Sequence, residues 1–266
     1  GELVIAGAGD DQIMWVNGTV SGGDGDDQIQ GEGVLVGGGG ADNILGGGSL
    51  HGGAGDDILV GRGFVAGDEG NDTVSGFGLL RGGDGDDTIS GYDWGYGEIH
   101  IDGGAGVDSF SYQIARDQGL TVDIDLRGLG SGQRIAVGSG WIENVERGTL
   151  LLAEGDDRVV LGDNLVAVHA ADGDDTLVGG GLNDTLDGGS GKDSVYGGGG
   201  DDDLTGSSGA TLDGGAGHDL VHLSVAGGVT LDLSGLASGT VDFGGGTLVS
   251  DVEGGVIAFG EGHNVV

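Results

Sequence analysis

The sequence predicts an all-β fold, a solenoid of parallel strands coiled in turns of 15 and 18 residues. Three observations predict it. A nine-residue unit, Gly-Gly-x-Gly-x-Asp-x-aliphatic-x, recurs at fixed spacing along most of the 266 residues. Its aliphatic residue stands between polar neighbours, the period of two that turns one face of a strand inward. The 70 glycines are poor helix formers, and the aliphatic residues lack the 3.6-residue spacing of a helix. A unit this short cannot bury a face alone, so copies must stack into a coil with a narrow apolar core.

The first block, 1–111, opens with the weak copy "AGAGDDQIM" and continues through "GGDGDDQIQ", "GGGGADNIL", "GGAGDDILV", "GDEGNDTVS" and "GGDGDDTIS". The sixth positions are Asp11 and then Asp27, Asp42, Asp57, Asp72 and Asp87, the last five spaced by 15. Each unit is a glycine turn and a strand of about three residues, with Ile29, Ile44, Leu59, Val74 and Ile89 inward. Six-residue halves such as "GEGVLV" and "GFGLLR" close the other edge. An insert at 91–101, "GYDWGYGEIH" and the residue after it, breaks the rhythm before "GGAGVDSFS" supplies Asp108. Tyr92, Trp94 and Tyr96 alternate there, as rings packed on the coil or as a stacking face for a sugar or a protein would. Trp15 and Trp141 are expected to pack at coil ends or edges.

Residues 112–152 form a spacer in which "TVDIDL" reads as a strand with Val122, Ile124 and Leu126 inward. The second block, 153–222, holds "LAEGDDRVV" (Asp157), then "AADGDDTLV", "GGGLNDTLD", "GGSGKDSVY" and "GGGGDDDLT" at a spacing of nine (Asp175, Asp184, Asp193, Asp202), and "GGAGHDLVH" (Asp219). Two nonapeptides make an 18-residue turn with glycine-aspartate loops on both edges. A second spacer, 223–266, copies the first: Val229, Leu231 and Leu233 match the earlier trio, and Asp251-Val252-Glu253 matches Asn144-Val145-Glu146. It reaches the last residue without an obvious polar cap, as a self-assembling or a shortened coil would.

Charge narrows the function. The chain carries 45 Asp and Glu against 8 Lys and Arg, a formal charge of -37, which opposes any compact state unless it is neutralised. Salt bridges cannot do this with so few cations. Nucleic acid is excluded because a polyanion needs a basic surface. No apolar run approaches the ~18 residues of a membrane span. There is no cysteine for disulfides or thiolate metal sites.

In a stacked coil, equivalent aspartates lie about 4.8 Å apart, one strand spacing, and repel unless a cation sits between them. Calcium suits such a place, because it takes six to eight oxygen ligands in loose geometry and accepts backbone carbonyls. Glycine leaves those carbonyls unobstructed. Magnesium demands tighter octahedral geometry, and zinc would want His or Cys.

"GGAGDDILV", "GGDGDDTIS" and "GGSGKDSVY" resemble the nonapeptide of the RTX (hemolysin-type calcium-binding repeat) family. The resemblance implies a right-handed parallel β-roll in which Ca²⁺ lies between successive turns, held by the sixth-position Asp and by loop carbonyls. Carried over, the carboxylate ligands are Asp11, Asp27, Asp42, Asp57, Asp72, Asp87 and Asp108 on one edge. In the second block Asp157, Asp175 and Asp193 share an edge, and Asp184, Asp202 and Asp219 share the opposite one. The implied loop glycines are Gly23, Gly25, Gly38, Gly40, Gly53, Gly55, Gly70, Gly83 and Gly85, then Gly189, Gly191, Gly198 and Gly200. Val166 and the loop "GSSGATLD" lack the sixth-position Asp and should leave gaps. Adjacent same-edge pairs imply roughly ten Ca²⁺ ions, each with about six oxygens. The acids at position five (Asp26, Asp56, Asp86, Asp156, Asp174, Asp201) are expected to be solvated or to stand behind the ligands without touching the ion.

No catalytic signature emerges: there is no His-Glu-x-x-His and no Gly-x-Ser-x-Gly, and the repeat accounts for most acids. His51, His169, His218 and His222 read as structural. The expectation is a non-enzymatic calcium-binding module of a secreted bacterial protein, extracellular or on the cell surface. It would be disordered without calcium and would fold after type I secretion. Two alternatives stay open: self-assembly through coil ends, as in a surface layer, adhesin or filament, and the holding of a polysaccharide beside an extracellular enzyme.

Overall fold

The computed structural model describes residues 1–93, 98–114, 121–225, 241–244 and 247–259, and no helix occurs among them. The chain forms two compact units, 1–113 with 129–148, and 114–128 with 149–266. In chain order the first nine strands are β1 (Glu2–Ala8), β2 (Gln12–Asp24), β3 (Gln28–Gly39), β4 (Asn43–Ala54), β5 (Ile58–Glu69), β6 (Thr73–Asp84), β7 (Thr88–Asp93), β8 (Ile99–Ala105) and β9 (Ser109–Ile114). Then come β10 (Asp123–Asp125), β11 (Ile135–Val137), β12 (Gly140–Glu143) and β13 (Arg147–Leu151).

In the first unit β1 to β6 are stacked in parallel, each turn lying on the next. The register is one repeat: Ile29 pairs with Ile44 and Leu35 with Leu50, then Ile44 with Leu59 and Leu50 with Val65. Two aliphatic columns therefore run through the coil. One is the position-eight residue, and the other is the inward residue of the six-residue half. Ile44, Leu50, Leu59, Val65, Val74 and Leu80 are all fully buried.

The strands are longer than the three or so residues expected, because β3 to β6 each span 12. The six-residue half is itself a strand, and pairing continues through the glycine corner between the two halves. Gly48 shows why that corner is glycine. Its φ is +108°, and a Cβ there would lie under 3 Å from the carbonyl oxygen of Gly33 in the turn before.

The first turn holds one residue more than the four that follow it, and the register slips between Met14 and Val16. Trp15 is the extra residue of this bulge, at φ 63° and 80% exposed, so it is expelled rather than packed. The insert leaves at the glycine corner. β7 pairs with β6 as far as Gly91, and β8 resumes from Gly78↔Ile99. Trp94 and Tyr96 lie outside the described residues. β12 then stacks on β8, with Ile142 beside Ile101. Trp141 packs its ring on His100, 4.8 Å between centroids, under the Arg134 guanidinium.

In the second unit the 18-residue turn has two short-stranded sides. β14 (Arg158–Val160), β16 (Thr176–Val178), β18 (Ser194–Gly199) and β20 (Thr211–Ala216) stack in parallel on one side. β15 (Leu165–His169), β17 (Thr185–Asp187), β19 (Asp203–Ser207) and β21 (Leu220–Val225) stack on the other. Val159, Leu177, Val195 and Leu212 fill the core from the first side, and Val168, Leu186, Leu204 and Val221 from the second. β10 joins below β14, with Ile124 on Val159. Ile124 and Leu126 are buried as expected, whereas Val122 is only half-buried. Beyond β20 lie β22 (Val241–Gly244) and β23 (Thr247–Ser250), and β24 (Gly254–Phe259) follows β21 in its sheet. Val229, Leu231 and Leu233 fall outside the described residues.

Candidate metal centres on the coil edges

The sixth-position aspartates form ladders. In the first unit the backbone N–H of Asp11 donates to Asp27 Oδ1 at 2.8 Å, and the pattern repeats without a gap to Asp42, Asp57, Asp72, Asp87 and Asp108 at 2.7–2.8 Å. Each carboxylate thus reaches back to the amide of the turn before. In the second unit one ladder runs Asp157, Asp175, Asp193 and another Asp184, Asp202, Asp219. All thirteen predicted aspartates stand in these three rows; in the second unit one row stops after Asp193, at Ala210, and the other starts after Val166, where buried apolar residues take the sixth position.

These carboxylates are buried: Asp27, Asp42, Asp57, Asp72, Asp87 and Asp108 are at most 2% exposed. One oxygen of each is spent on the ladder. The other, Oδ2, is buried with no hydrogen-bond partner in those six and in Asp175, Asp193, Asp202 and Asp219, and Asp184 leaves Oδ1 in the same state. Burial pushes the carboxyl groups up from the usual carboxylate range, to about 7 at Asp57, Asp87, Asp175 and Asp184. At Asp72, Asp108 and Asp193 burial raises them to about 6, and at Asp42, Asp202 and Asp219 it acts in the same direction. Neighbouring aspartates add to the shift, opposed in part by the amide each carboxylate accepts.

In the first unit the unpartnered oxygens of Asp27, Asp42, Asp57, Asp72, Asp87 and Asp108 lie over the first glycine of their own loops. A Cβ on Gly52 would meet both Asp57 Oδ2 and the carbonyl oxygen of Gly67, in the next turn, at under 3 Å. Gly22, Gly37 and Gly82 stand in the same relation to Asp27, Asp42 and Asp87 and to the following turn's carbonyl. Two acceptors, a carboxylate oxygen without a hydrogen-bond partner and a carbonyl, therefore converge at these four loops.

A second ladder runs beside the first on the solvent side. The N–H of Ala41 donates to Asp26 Oδ1 at 2.8 Å, Asn71 to Asp56 at 2.9 Å, Asp86 to Asn71 at 2.8 Å and Val107 to Asp86 at 2.8 Å. The acids at position five are thus exposed, but they also tie successive turns together, which solvation alone does not describe. In the second unit Asp156, Asp174, Asn183 and Asp201 do the same. The two ladders differ in what they accept. Asn serves at positions 71 and 183 of the exposed ladder, whereas the sixth position is Asp in thirteen copies, apolar at Val166 and Ala210, and Asn in none. An amide would accept the same N–H and would turn an NH₂ donor toward the glycine carbonyl. Hydrogen bonding alone would favour Asn, so the uniform carboxylate points to a cation. No three His, Cys, Asp or Glu side chains converge among the described residues, so a site must draw on carbonyls as well. That donor set, all oxygen and part backbone, is the kind calcium takes.

A profile of the RTX calcium-binding nonapeptide repeat matches four stretches, residues 17–33, 79–93, 153–186 and 178–210. The chain carries RTX calcium-binding nonapeptide repeats. RTX repeats are calcium-binding, build structural β-rolls and are typical of secreted bacterial proteins, and the parallel solenoid seen here has that architecture. No curated protein matches the chain.

Of the RTX loop glycines expected at the sites, all thirteen have positive φ, from 75° at Gly189 to 151° at Gly191. What the sequence reading missed is the first glycine of each loop, whose bare α-carbon makes room for the carboxylate. The signal was present, since that position is Gly in most copies, but a glycine does not announce what lies against it. The histidines make surface contacts: His51 with Asp68 at 3.1 Å, His169 with Asp187 at 3.4 Å and His222 with Asp203 at 3.3 Å. On the corner edge of the first unit, a groove of about 710 Å³ runs between Trp15 and Tyr92 over Gly31, Gly46, Gly61 and Gly76.

Proposed function

We propose that the chain is a calcium-responsive structural coil of a secreted bacterial protein. Its two calcium blocks, 1–111 and 153–222, are each followed by a stretch without nonapeptide loops. The observation that carries this reading is the set of eleven buried carboxylates with one oxygen unpartnered, stacked rung upon rung. The residues that would hold the ions are Asp11, Asp27, Asp42, Asp57, Asp72, Asp87 and Asp108, and in the second unit Asp157, Asp175, Asp184, Asp193, Asp202 and Asp219, with the glycine-loop carbonyls beside them. Roughly ten ions fit, and calcium supplies there the positive charge and oxygen affinity that a buried carboxylate-carbonyl pair lacks.

The chain's own residues then act as a switch. Without a cation, the aspartates keep the turns apart by repulsion and by the cost of burying charge, and the glycines favour the open chain through their entropy. Binding energy becomes folding energy. Such a coil would stay open in a low-calcium cytosol, pass through type I secretion unfolded, and close outside, with no catalytic role of its own. Limited proteolysis tests this. In millimolar calcium both units resist cleavage, and in chelator cleavage spreads through both blocks. Equal resistance in the two conditions contradicts the proposal.

A further inference from the structure

Two aspartate ladders do not stop at an aspartate. The N–H of Asp108, the last of the first unit, donates to Glu146 Oε2 at 2.7 Å, and that of Asp219 donates to Glu253 Oε2 at 2.8 Å. In each case the glutamate occupies the place the next turn's sixth-position Asp would take. The carbonyl belonging to that next turn is also replaced. Inside the ladder a Cβ on Gly82 would meet the carbonyl oxygen of Gly103, the first glycine of the following loop. At the two ends a Cβ on Gly103 would meet the carbonyl of Asn144, and one on Gly214 the carbonyl of Asp251, each at under 3 Å.

The tripeptides Asn144-Val145-Glu146 and Asp251-Val252-Glu253 are therefore contracted loops. A full loop separates its first-glycine carbonyl from its carboxylate by five residues, and the contracted one does so by two. A left-handed first residue, φ 52° at Asn144 and 48° at Asp251, makes the tight turn, and a buried valine anchors it. The longer glutamate arm brings the carboxylate back to the ladder. The peptide N–H groups of Glu146 and Glu253 donate to the carbonyls of Asp108 and Asp219 at 3.0 and 3.2 Å, which fixes both turns in register.

Asp108 Oδ2 and Asp219 Oδ2 are buried, 0% and 2% exposed by residue, and neither has a hydrogen-bond partner. Each faces the carbonyl of the contracted loop, as interior aspartates face a glycine carbonyl. We propose that each contracted loop closes one further site for a hard divalent cation, which counting aspartates misses. One site comprises Asp108, the Asn144 carbonyl and Glu146, and the other Asp219, the Asp251 carbonyl and Glu253. This rests on the calcium reading of the aspartate ladders. Adjacent aspartates form six rungs in the first unit and two in each ladder of the second, ten together, and the contracted loops raise the number to twelve.

The experiment counts calcium bound to the full chain after equilibrium dialysis, by plasma mass spectrometry, for wild type, Glu146→Gln, Glu253→Gln and the double variant. Glutamine keeps an oxygen for the Asp108 or Asp219 amide, so the expected result is one ion fewer in each single variant and two fewer in the double, with an unchanged circular dichroism spectrum. An unchanged count in the folded double variant overturns the inference and leaves the ladder reading standing. A wild type that binds no calcium overturns both. Should the variants lose their fold, the wild-type count decides: twelve supports the two end sites, and ten overturns them.

Discussion

Replacing Asp57 with asparagine separates a cation ligand from a merely buried acid by the sign of its effect. Asp57 sits mid-ladder, 1% exposed, accepting the Asp42 N–H through Oδ1 and donating its own N–H to Asp72. Asparagine keeps the acceptor and the volume, and changes only the unpartnered oxygen. If that oxygen merely pays a burial penalty, its replacement by a donor aimed at the Gly67 carbonyl stabilises the fold by about 1–3 kcal/mol. If it holds calcium, Asp57 serves two rungs. At free calcium near 100 times the dissociation constant, each ion lost costs about 2.7 kcal/mol, so the variant loses about 5 kcal/mol. Thermal melts by circular dichroism in saturating calcium, with the calcium midpoint of folding, read the difference. The account predicts a lower melting temperature and a higher calcium midpoint for Asp57→Asn. Asp56→Asn, in the exposed ladder where Asn71 already serves, leaves both within about 0.5 kcal/mol of wild type. A melting temperature raised in calcium by Asp57→Asn would refute the reasoning.

Three further outcomes follow. Gly52→Ala places a methyl group against Asp57 Oδ2 and the Gly67 carbonyl, and calcium titration by isothermal calorimetry should show at least one site lost, with stability lowered by about 1–3 kcal/mol. Leu50→Ala opens the narrow core at a fully buried position and should cost 2–5 kcal/mol in calcium, on the order of other large-to-small core changes, as read by urea unfolding. In chelator the pH dependence follows from the raised carboxyl groups. Burial holds Asp57, Asp87, Asp175 and Asp184 at about 7 in the coil, against 3.8 normally, so the coil binds more protons than the open chain between those values. Its stability is therefore constant below pH about 4 and falls as pH rises toward 7. Acidifying the chelated protein from pH 8 to 5 should increase its β signal, whereas in calcium the same acidification should weaken ion binding by proton competition.

Much of this was legible in the sequence because a solenoid converts spacing into position. Fifteen residues between Asp42 and Asp57 become one strand spacing, and the polar-aliphatic alternation around Ile44 fixes which side is core. Val166 and Ala210 show the same logic in reverse, as gaps readable from a missing Asp. The rest depended on contacts that no spacing records. Gly52 is indistinguishable from any other glycine until the Asp57 carboxylate lies on its α-carbon. The motif shared by Asn144–Glu146 and Asp251–Glu253 was visible as a likeness, but its role was hidden because the loop is contracted and the acid is one methylene longer. Trp15 misled because an aromatic residue in a strand normally packs, and only the slipped register between Met14 and Val16 reveals that it is pushed outward.

The most direct test of the central claim is a calcium titration of the full chain followed by far-ultraviolet circular dichroism, with bound metal counted at saturation and magnesium run in parallel. The account predicts a cooperative gain of β structure, at least ten calcium ions bound, and no equivalent response to magnesium. A β-rich spectrum indifferent to chelator, with no calcium bound, would contradict it.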